Sequence, residues 1–275
     1  MRSWYRASET IPAPLLVESQ LVWQCRHVRI MTQQWRDLLF VHWSYEPDHV
    51  RQLLPEHLRD RGVELDTFEG RAYVGLVPFQ MHDLRLRGFV PIPTTSHFPE
   101  INVRTYVTFR GRPSVWFFSL DTSSLLATMT ARIAFRLPYC FARASVTVTG
   151  EGDGAMYESR VERRWPDRAT SSLVARIGAP IPPTPLTDFL TARWGLVTTT
   201  GPRRPATDRR RRGRFTFFGA IEHEPWPLHD ASLVALDDHL VEAAGLAPGA
   251  GTPIVHYSPG VTTSINSLEF IRAVK

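Results

Sequence analysis

The stretch SVWFFSLDTSSLLATMTARIAFRLPYC, residues 114–140, predicts a strand, a polar turn, a helical turn of small residues and a second strand that ends at a proline. Asp121 ends the first strand, Arg132 begins the second, and Tyr139 follows the proline that fixes the chain direction. Two interpretations of Arg132 remain open: it binds a substrate carboxylate, or it forms a buried ion pair with Asp121. Tyr139 is either a hydrogen-bonded scaffold residue or an acid catalyst.

A polar face is predicted on the preceding strand, in FPEINVRTYV (residues 98–107). Because side chains alternate between the two faces of a strand, four different polar groups share one side: Glu100, Asn102, Arg104 and Tyr106. A carboxylate and a guanidinium in a partly dry site would orient an acidic substrate. This face either lines a cleft or is exposed to solvent, and the apolar strands beside it favour the cleft.

Most of the remaining chain carries β-branched and aromatic residues between Gly, Asp and Pro turns, which is typical of strands. The segments EPDHVRQLLPEHL, PLTDFLTARWGL and DASLVALDDHLVEAAGL predict short helices, and Gly245 stands at the C-cap of the last. We therefore expect a mainly β (α+β) fold, a curved antiparallel sheet or barrel with a few packed helices. The fold is predicted to begin near Met31, with residues 1–30 as a peripheral extension and residues 31–275 as one domain.

The positive charge is concentrated in one segment. The formal net charge is +5, and PRRPATDRRRRGR (residues 202–214) alone holds seven arginines and one aspartate. No aromatic residue lies between these arginines, so the stacking platforms that bind single-stranded nucleic acid are missing. We interpret Arg203 to Arg214 as a solvated loop rather than a nucleic-acid site.

Membrane and metal signals are weak in the sequence. No apolar run reaches about 18 residues, so no membrane span is predicted, and residues 1–14 lack the apolar core of a secretory signal, so we expect a cytoplasmic protein. Two cysteines can form neither a disulfide framework nor a zinc site by themselves. No histidine pair has metal-motif spacing and no phosphate loop occurs, so neither a metal nor a cofactor is expected. His42 in FVHW either lines a pocket or is a hydrogen-bonded core histidine.

The basic residues exclude one class of mechanism. The chain has 31 arginines and a single lysine, Lys275. Arginine stays protonated and is not a usable amine nucleophile. A mechanism that forms a Schiff base on an interior lysine is therefore excluded.

Six stretches in one order resemble the YqjF-like family of uncharacterised bacterial proteins: QQWRDLLFVHW, GLVPFQM, FPEINVRTYV, VWFFSLDTSSLLATMTARIAFRLPY, HEPWPL and IVHYSPGV. The resemblance extends from Met31 to about the C-terminus. At ARW (residues 192–194) the family more often shows Glu-Arg-Tyr. The family is grouped with acetoacetate decarboxylase-like folds, which implies a β-rich cone or barrel around a small-molecule cavity and, by analogy alone, a homo-oligomer.

The decarboxylase pattern itself is only partly present. FPE resembles its first element, Asp121 its aspartate, and ARIAFRLPYC the arginine-to-proline segment that precedes two lysines in those enzymes. Tyr139 and Cys140 stand at the lysine positions. Glu100 and Arg132 therefore carry over as cavity candidates, whereas the decarboxylase activity does not.

These observations lead to one hypothesis and one alternative. The hypothesis is an internal cavity for a small organic acid or oxo compound, in a lyase- or hydratase-type enzyme without Schiff-base chemistry. Its catalytic candidates are Glu100 and Tyr139, and its substrate-binding candidates are Arg104, Arg132, Asn102, Tyr106, Asp121 and His42. The alternative is a non-catalytic small-molecule-binding or assembly protein that has lost the catalytic lysine.

Overall fold

The computed structural model describes residues 28–87, 97–130, 132, 136–200, 215–247, 249 and 251–273. Residues 1–27, the arginine segment 203–214 and Lys275 lie outside these residues, and with them most of the predicted extension and the predicted loop. The described strands are β1 (Arg29–Tyr45), β2 (Val63–Leu65), β3 (Ala72–Leu86), β4 (Phe98–Phe109), β5 (Arg112–Thr122), β6 (Tyr139–Thr149), β7 (Met156–Trp165), β8 (Ala169–Pro180), β9 (Gly195–Thr199), β10 (Thr216–His223), β11 (His229–Asp238), β12 (Ile254–Asn266) and β13 (Glu269–Ile271). The prediction of a mainly β fold is confirmed.

Short helices connect some of these strands. In the described part of the chain they are α1 (Pro47–Arg51), a 3₁₀ helix (Glu56–Arg61), α2 (Leu125–Thr130), α3 (Pro185–Thr191) and α4 (Leu240–Ala243). Helix α3 lies in the predicted PLTDFLTARWGL segment, and its capping box joins Thr184 and Thr187. None of the described helices is long and apolar enough to cross a membrane.

The helix predicted in DASLVALDDHLVEAAGL is wrong over its first half. β11 occupies His229–Asp238, and only four residues beyond it are helical. β11 pairs antiparallel with β8, and the register shifts between Leu233 and Ala235. This irregularity breaks the two-residue alternation, so the leucines acquire a helix-like spacing although the backbone is satisfied by the neighbouring strand. Gly245, with φ of 93°, does take the left-handed conformation expected after a helix.

Nine strands close into a barrel in the order β5-β6-β7-β8-β11-β12-β1-β3-β4, and the β4–β5 pair completes the ring. Outside it, β9 and β10 bridge β5 to β12. The pairs are antiparallel except β5–β6 and β5–β9, which are parallel. A parallel pair requires a crossover connection rather than a tight hairpin, and α2 lies in the segment that joins β5 to β6.

The second strand predicted in the 114–140 stretch, from Arg132 to the proline, is not found there: residues 136–138 are not in a strand, and β6 starts after the proline, at Tyr139. Residues 133–135 of that prediction lie outside the described residues. Arg136 has a φ of 56°, which does not occur in a regular strand, and Pro138 has no backbone N–H to donate to a ladder. Residues 136–138 therefore lie outside the strand.

The two faces of the barrel wall are buried against different partners. The inner face fills the barrel with apolar side chains from nearly all of its strands, among them Leu39, Val74, Ile101, Tyr157 and Leu173. The outer face of β4 and β5 packs beneath α3, β9 and β10, which contribute Leu190, Leu196 and Ile221. Polar side chains on the outer face of β4 are therefore covered by a second layer of structure.

Candidate functional site

The predicted polar face of β4 is buried. Relative exposure is 3% for Glu100 and Asn102, 7% for Arg104 and 0% for Tyr106. The alternative of a solvent-exposed face is therefore wrong. These four side chains, with His42 of β1 and Tyr139 of β6, are called the Arg104 face below.

Glu100 and Tyr139 form a hydrogen-bonded pair at one end of the Arg104 face. The Tyr139 hydroxyl donates to Glu100 Oε2 at 2.7 Å, between two buried residues. Burial raises the pKa of Glu100 to about 7, against the opposing effect of hydrogen bonds from Tyr139 and Asn102. Burial, reinforced by the Glu100 charge, raises the pKa of Tyr139 well above its usual value. Near neutral pH the Glu100 carboxyl can thus either hold or release a proton, which suits acid–base chemistry.

His42 and Tyr106 form a second pair farther along. His42 Nε2 lies 2.6 Å from the Tyr106 hydroxyl oxygen. Burial, and then the Arg104 charge, lowers the pKa of His42, so the imidazole is neutral near pH 7. Gly75 on β3 leaves room for this contact, because a Cβ there would lie 2.9 Å from His42 Nε2. The pair is built by three adjacent strands, β1, β3 and β4.

Arg104 has a buried charge without a carboxylate partner. Among the described residues no aspartate or glutamate forms an ion pair with it. Its Nη2 donates a long hydrogen bond of 3.5 Å to the Leu190 carbonyl, and its guanidinium lies 5.5 Å and 5.6 Å from the ring centres of Phe40 and Tyr106. Ring faces attract a cation but do not neutralise it. The charge of Arg104 is therefore left uncompensated.

The Arg104 face contains buried polar atoms without a hydrogen-bond partner. Three of its atoms make no hydrogen bond to the described residues: His42 Nδ1, Asn102 Oδ1 and Arg104 Nε. Buried polar groups in folded proteins are almost always hydrogen-bonded to protein, water or ligand. The donor Arg104 Nε and the acceptor Asn102 Oδ1 lie on the same face of β4, so this face can bind a polar molecule.

Sequence reasoning missed the residues that cover this face. Arg193, just after α3, forms an ion pair with Asp66, and its guanidinium lies 4.7 Å from the Tyr106 ring centre. Trp226 packs edge-on against Phe40 and donates from its indole to the Thr191 carbonyl. The sequence did contain a clue to Arg193: it is the arginine that ARW (residues 192–194) has in common with the Glu-Arg-Tyr of the family.

Two predicted site residues lie elsewhere. Asp121 accepts hydrogen bonds of 2.6 and 2.7 Å from Arg163, whose Nη2 also donates to Ser119. The proposed Asp121–Arg132 pair is therefore wrong: the partner of Asp121 is Arg163 of β7. The strand next to Asp121 is β6, which starts only at Tyr139, so Arg132 is not on that strand. Arg132 instead donates to the Tyr139 carbonyl and stacks 4.2 Å from the Trp165 ring centre. Asp121, Arg163, Ser119 and Asp167 are called the Asp121 cluster below.

The Asp121 cluster lies on the barrel side of the wall. Asp121 is paired with Ile101, whose side chain belongs to the barrel core, whereas Glu100 is paired with Thr122. Successive residues of a strand point to opposite faces. The structure thus brings together six predicted site residues on the Arg104 face and leaves Asp121 and Arg132 off it.

The remaining chemistry-bearing residues form no metal site among those described. No group of three His, Cys, Asp or Glu side chains could hold an ion in that part of the chain. Burial, and then the Asp121 charge, raises the pKa of the Cys140 thiol to about 12. Cys140 therefore stays protonated near neutral pH and is a poor nucleophile.

Comparison with known proteins places the chain among relatives of similar length. Residues 32–262 match the model of DUF2071, described as an uncharacterized conserved protein. The chain is 33% identical over 231 residues to the uncharacterized protein YqjF of Bacillus subtilis (strain 168), covering 83% of this chain and 87% of that protein.

Solved structures of similar fold include an enduracididine biosynthesis enzyme, an acetoacetate decarboxylase-like enzyme and an acetoacetate decarboxylase. The enduracididine biosynthesis enzyme MppR, with HEPES bound, has a TM-score of 0.61 at 14% identity, covering 91% of this chain and 90% of that one. An acetoacetate decarboxylase-like enzyme from Sphingomonas wittichii RW1 has 0.60 at 12%, covering 90% and 95%. Acetoacetate decarboxylase from Legionella pneumophila has 0.56 at 13%, covering 97% and 98%. At these identities the likeness concerns the fold alone.

Proposed function

The chain belongs to the DUF2071 family and has an acetoacetate decarboxylase-like fold, and from this premise we propose that it binds a small organic acid or oxo compound in an internal cavity at the Arg104 face. The observation that carries the proposal is the buried guanidinium of Arg104, which has no carboxylate partner among the described residues. An unpaired buried charge is costly. A ligand carboxylate would compensate it with charge-assisted, two-pronged hydrogen bonds.

The spacing of the polar groups limits the size of the ligand. Glu100 and Arg104 are four residues apart on one strand, roughly 13 Å between their Cα atoms, and the long arginine side chain shortens the distance between the charged ends. Asn102 lies between them with its Oδ1 unpartnered. A molecule of several heavy atoms with its carboxylate at Arg104 would therefore present its far end to Glu100.

The chemistry in this proposal is proton transfer by Glu100. Its pKa of about 7 gives both protonation states near neutral pH, and Tyr139 supplies a hydrogen bond to the carboxyl. The ionised Glu100 carboxylate takes a proton from a ligand carbon beside a carbonyl and becomes neutral, and the electron pair of the broken C–H bond moves to the carbonyl oxygen as an enolate, while Arg104 holds the ligand carboxylate. MppR, whose structures include a complex with pyruvate, provides a precedent for an oxo acid on this fold.

Binding without turnover is the second candidate. The residues at the positions of the decarboxylase lysines are Tyr139 and Cys140, and burial keeps the Cys140 thiol protonated. A protein that kept the enzyme fold but only binds its ligand would be expected to lack the catalytic lysine. The two candidates share the ligand and differ in the role of Glu100.

Ligand binding is tested by thermal denaturation with a panel of oxo acids, hydroxy acids and neutral carbonyl compounds. A ligand at about a hundred times its Kd stabilises the fold by roughly 2.7 kcal/mol. We expect acids to raise the midpoint of the wild type and of Arg176→Met, a control at an exposed arginine of β8, but not that of Arg104→Met. Equal stabilisation of all three proteins would refute the role of Arg104.

Turnover is tested with the acids that bind. Proton exchange or product formation, followed by NMR, should disappear in Glu100→Gln, while the ligand still raises the midpoint of that variant. Binding with neither exchange nor product in the wild type would establish the second candidate. Activity that survives in Glu100→Gln would remove Glu100 from the mechanism.

A further inference from the structure

A pocket of about 260 Å³ lies on the other side of the same strands, next to the Asp121 cluster. Ligand pockets typically measure roughly 300–1,000 Å³, so this one suits a small molecule or ion. Its lining includes the polar side chains of Ser119, Arg132, Arg136, Cys140, Arg163 and Asp167. Cys140 and Tyr139 are consecutive on β6 and therefore point to opposite faces, which separates this pocket from the Arg104 face.

The charges around the pocket do not balance. The charge of Arg163 is paired with two carboxylates. Its Nε and Nη2 donate to Asp121, and its Nη1 donates to Asp167 at 3.3 Å. Arg132 and Arg136 form no ion pair with any described acidic residue. Three guanidinium groups thus face two carboxylates, and both carboxylates are engaged by the same arginine.

Arg132 is held in a fixed orientation. Its guanidinium stacks 4.2 Å from the Trp165 ring centre, and its Nη1 donates to the Tyr139 carbonyl. A stacked, planar guanidinium keeps its remaining N–H groups in the plane of the fork, where they match two oxygens of an anion. Arg136 is fixed at its backbone, because its carbonyl accepts a hydrogen bond of 2.7 Å from the Thr198 hydroxyl. The guanidinium of Arg132 is therefore oriented before any ligand arrives, and the backbone of Arg136 is anchored.

We propose that this pocket is a second ligand site, which binds a doubly charged oxyanion, a phosphate group or a small dicarboxylate, between Arg132 and Arg136. Arg132 and Arg136 have no acidic partner among the described residues, so each guanidinium would contact a negatively charged oxygen of such an anion. The neutral Cys140 thiol in the lining adds no opposing charge. The site does not depend on the function proposed for the Arg104 face.

The test is a titration of the full chain with inorganic phosphate, succinate or chloride at matched ionic strength and pH 7.5, read out by calorimetry and by the thermal midpoint. We expect saturable binding of phosphate or succinate and none of chloride. Kd should rise at least tenfold in Arg132→Gln and in Arg136→Gln. The Kd for phosphate should stay within twofold in Arg176→Gln and in Arg104→Met, which separates this site from the Arg104 face, where succinate, as an organic acid, would also bind.

Two results would overturn the proposal. One is the absence of saturable binding of either dianion to the wild type. The other is unchanged binding in the Arg136→Gln variant, in which case the dianion binds elsewhere. Arg136 is exposed, so its replacement should leave the fold intact even if Arg132→Gln unfolds.

Discussion

Arg104 and Arg163 are buried on opposite faces of the same barrel wall, with 7% and 4% of their surface exposed. Arg163 contacts Asp121 through two hydrogen bonds and donates a third to Ser119. Arg104 has one long contact with a backbone carbonyl and an unpartnered Nε. Among the described residues, the arginine on the barrel side thus has carboxylate partners, whereas the arginine on the outer side has none.

The presence or absence of a carboxylate partner indicates which of the two arginines has a structural role and which one can bind a ligand. A buried charge whose partner comes from the same chain holds strands together, and removing either member leaves the other uncompensated. A buried charge without such a partner lowers stability and is available to a ligand. Removing the charge of Arg163 should therefore lower the free energy of unfolding, whereas removing the charge of Arg104 should leave it unchanged or raise it.

The largest effect is expected for Asp121→Ala. This change leaves Arg163 buried without its main partner, which should lower the free energy of unfolding by about 3–5 kcal/mol in urea denaturation. Asp167→Ala is the matched control, because Asp167 is largely exposed and should contribute less than about 1 kcal/mol. Equal small losses in both variants would show that the Asp121 cluster does not hold the barrel wall.

A pH-dependent effect of similar size is expected for Glu100. Its folded pKa of about 7 lies above the usual 4.5, so the folded state binds the proton more tightly than the unfolded state. The resulting stabilisation is present below about pH 4.5 and is lost as the pH rises to 7, and it amounts to roughly 3 kcal/mol.

In Glu100→Gln the side chain can no longer gain or lose a proton, so this pH-dependent contribution to stability disappears. Urea denaturation at pH 5 and pH 8 should therefore show a larger loss of stability with rising pH in the wild type than in Glu100→Gln. Glu158→Gln, at an exposed position of β7, should follow the wild type. Parallel profiles of the wild type and Glu100→Gln would mean that Glu100 titrates like an ordinary carboxyl.

A smaller effect is expected at Gly75. In Gly75→Ala the new methyl group would lie 2.9 Å from His42 Nε2 and 3.4 Å from the Tyr106 hydroxyl. Separating this pair should cost about 1–3 kcal/mol in urea denaturation. Tyr106→Phe breaks the same hydrogen bond without the clash and should cost about 1 kcal/mol. A Gly75→Ala protein as stable as the wild type would show that the two side chains have room to move.

The polar face of β4 could be predicted because it depends on alternation along one strand. Glu100, Asn102, Arg104 and Tyr106 required only the two-residue period of β structure. The closeness of Glu100 and Tyr139, 39 residues apart, was suggested only by the resemblance to a family pattern. The structure supports it with a direct hydrogen bond.

Other features could not be predicted because they depend on contacts between distant strands. The partner of Asp121 is on β7, and nothing in the local sequence separates Arg163 from its neighbour Arg164. The strand β11 was predicted as a helix because a register shift disguised its alternation. Arg193 reaches Tyr106 only because α3 folds over the outer face of the barrel.

The most direct test of the difference between the two faces is the free energy of unfolding of Arg104→Met and Arg163→Met without ligand. Methionine keeps much of the apolar volume of arginine and removes the charge in both variants. We predict a loss of about 3–5 kcal/mol for Arg163→Met, which leaves Asp121 unpaired, and a change within about 1 kcal/mol or a gain for Arg104→Met. If Arg104→Met loses as much as Arg163→Met, the charge of Arg104 is already matched within the fold, and the claim that it awaits a ligand is contradicted.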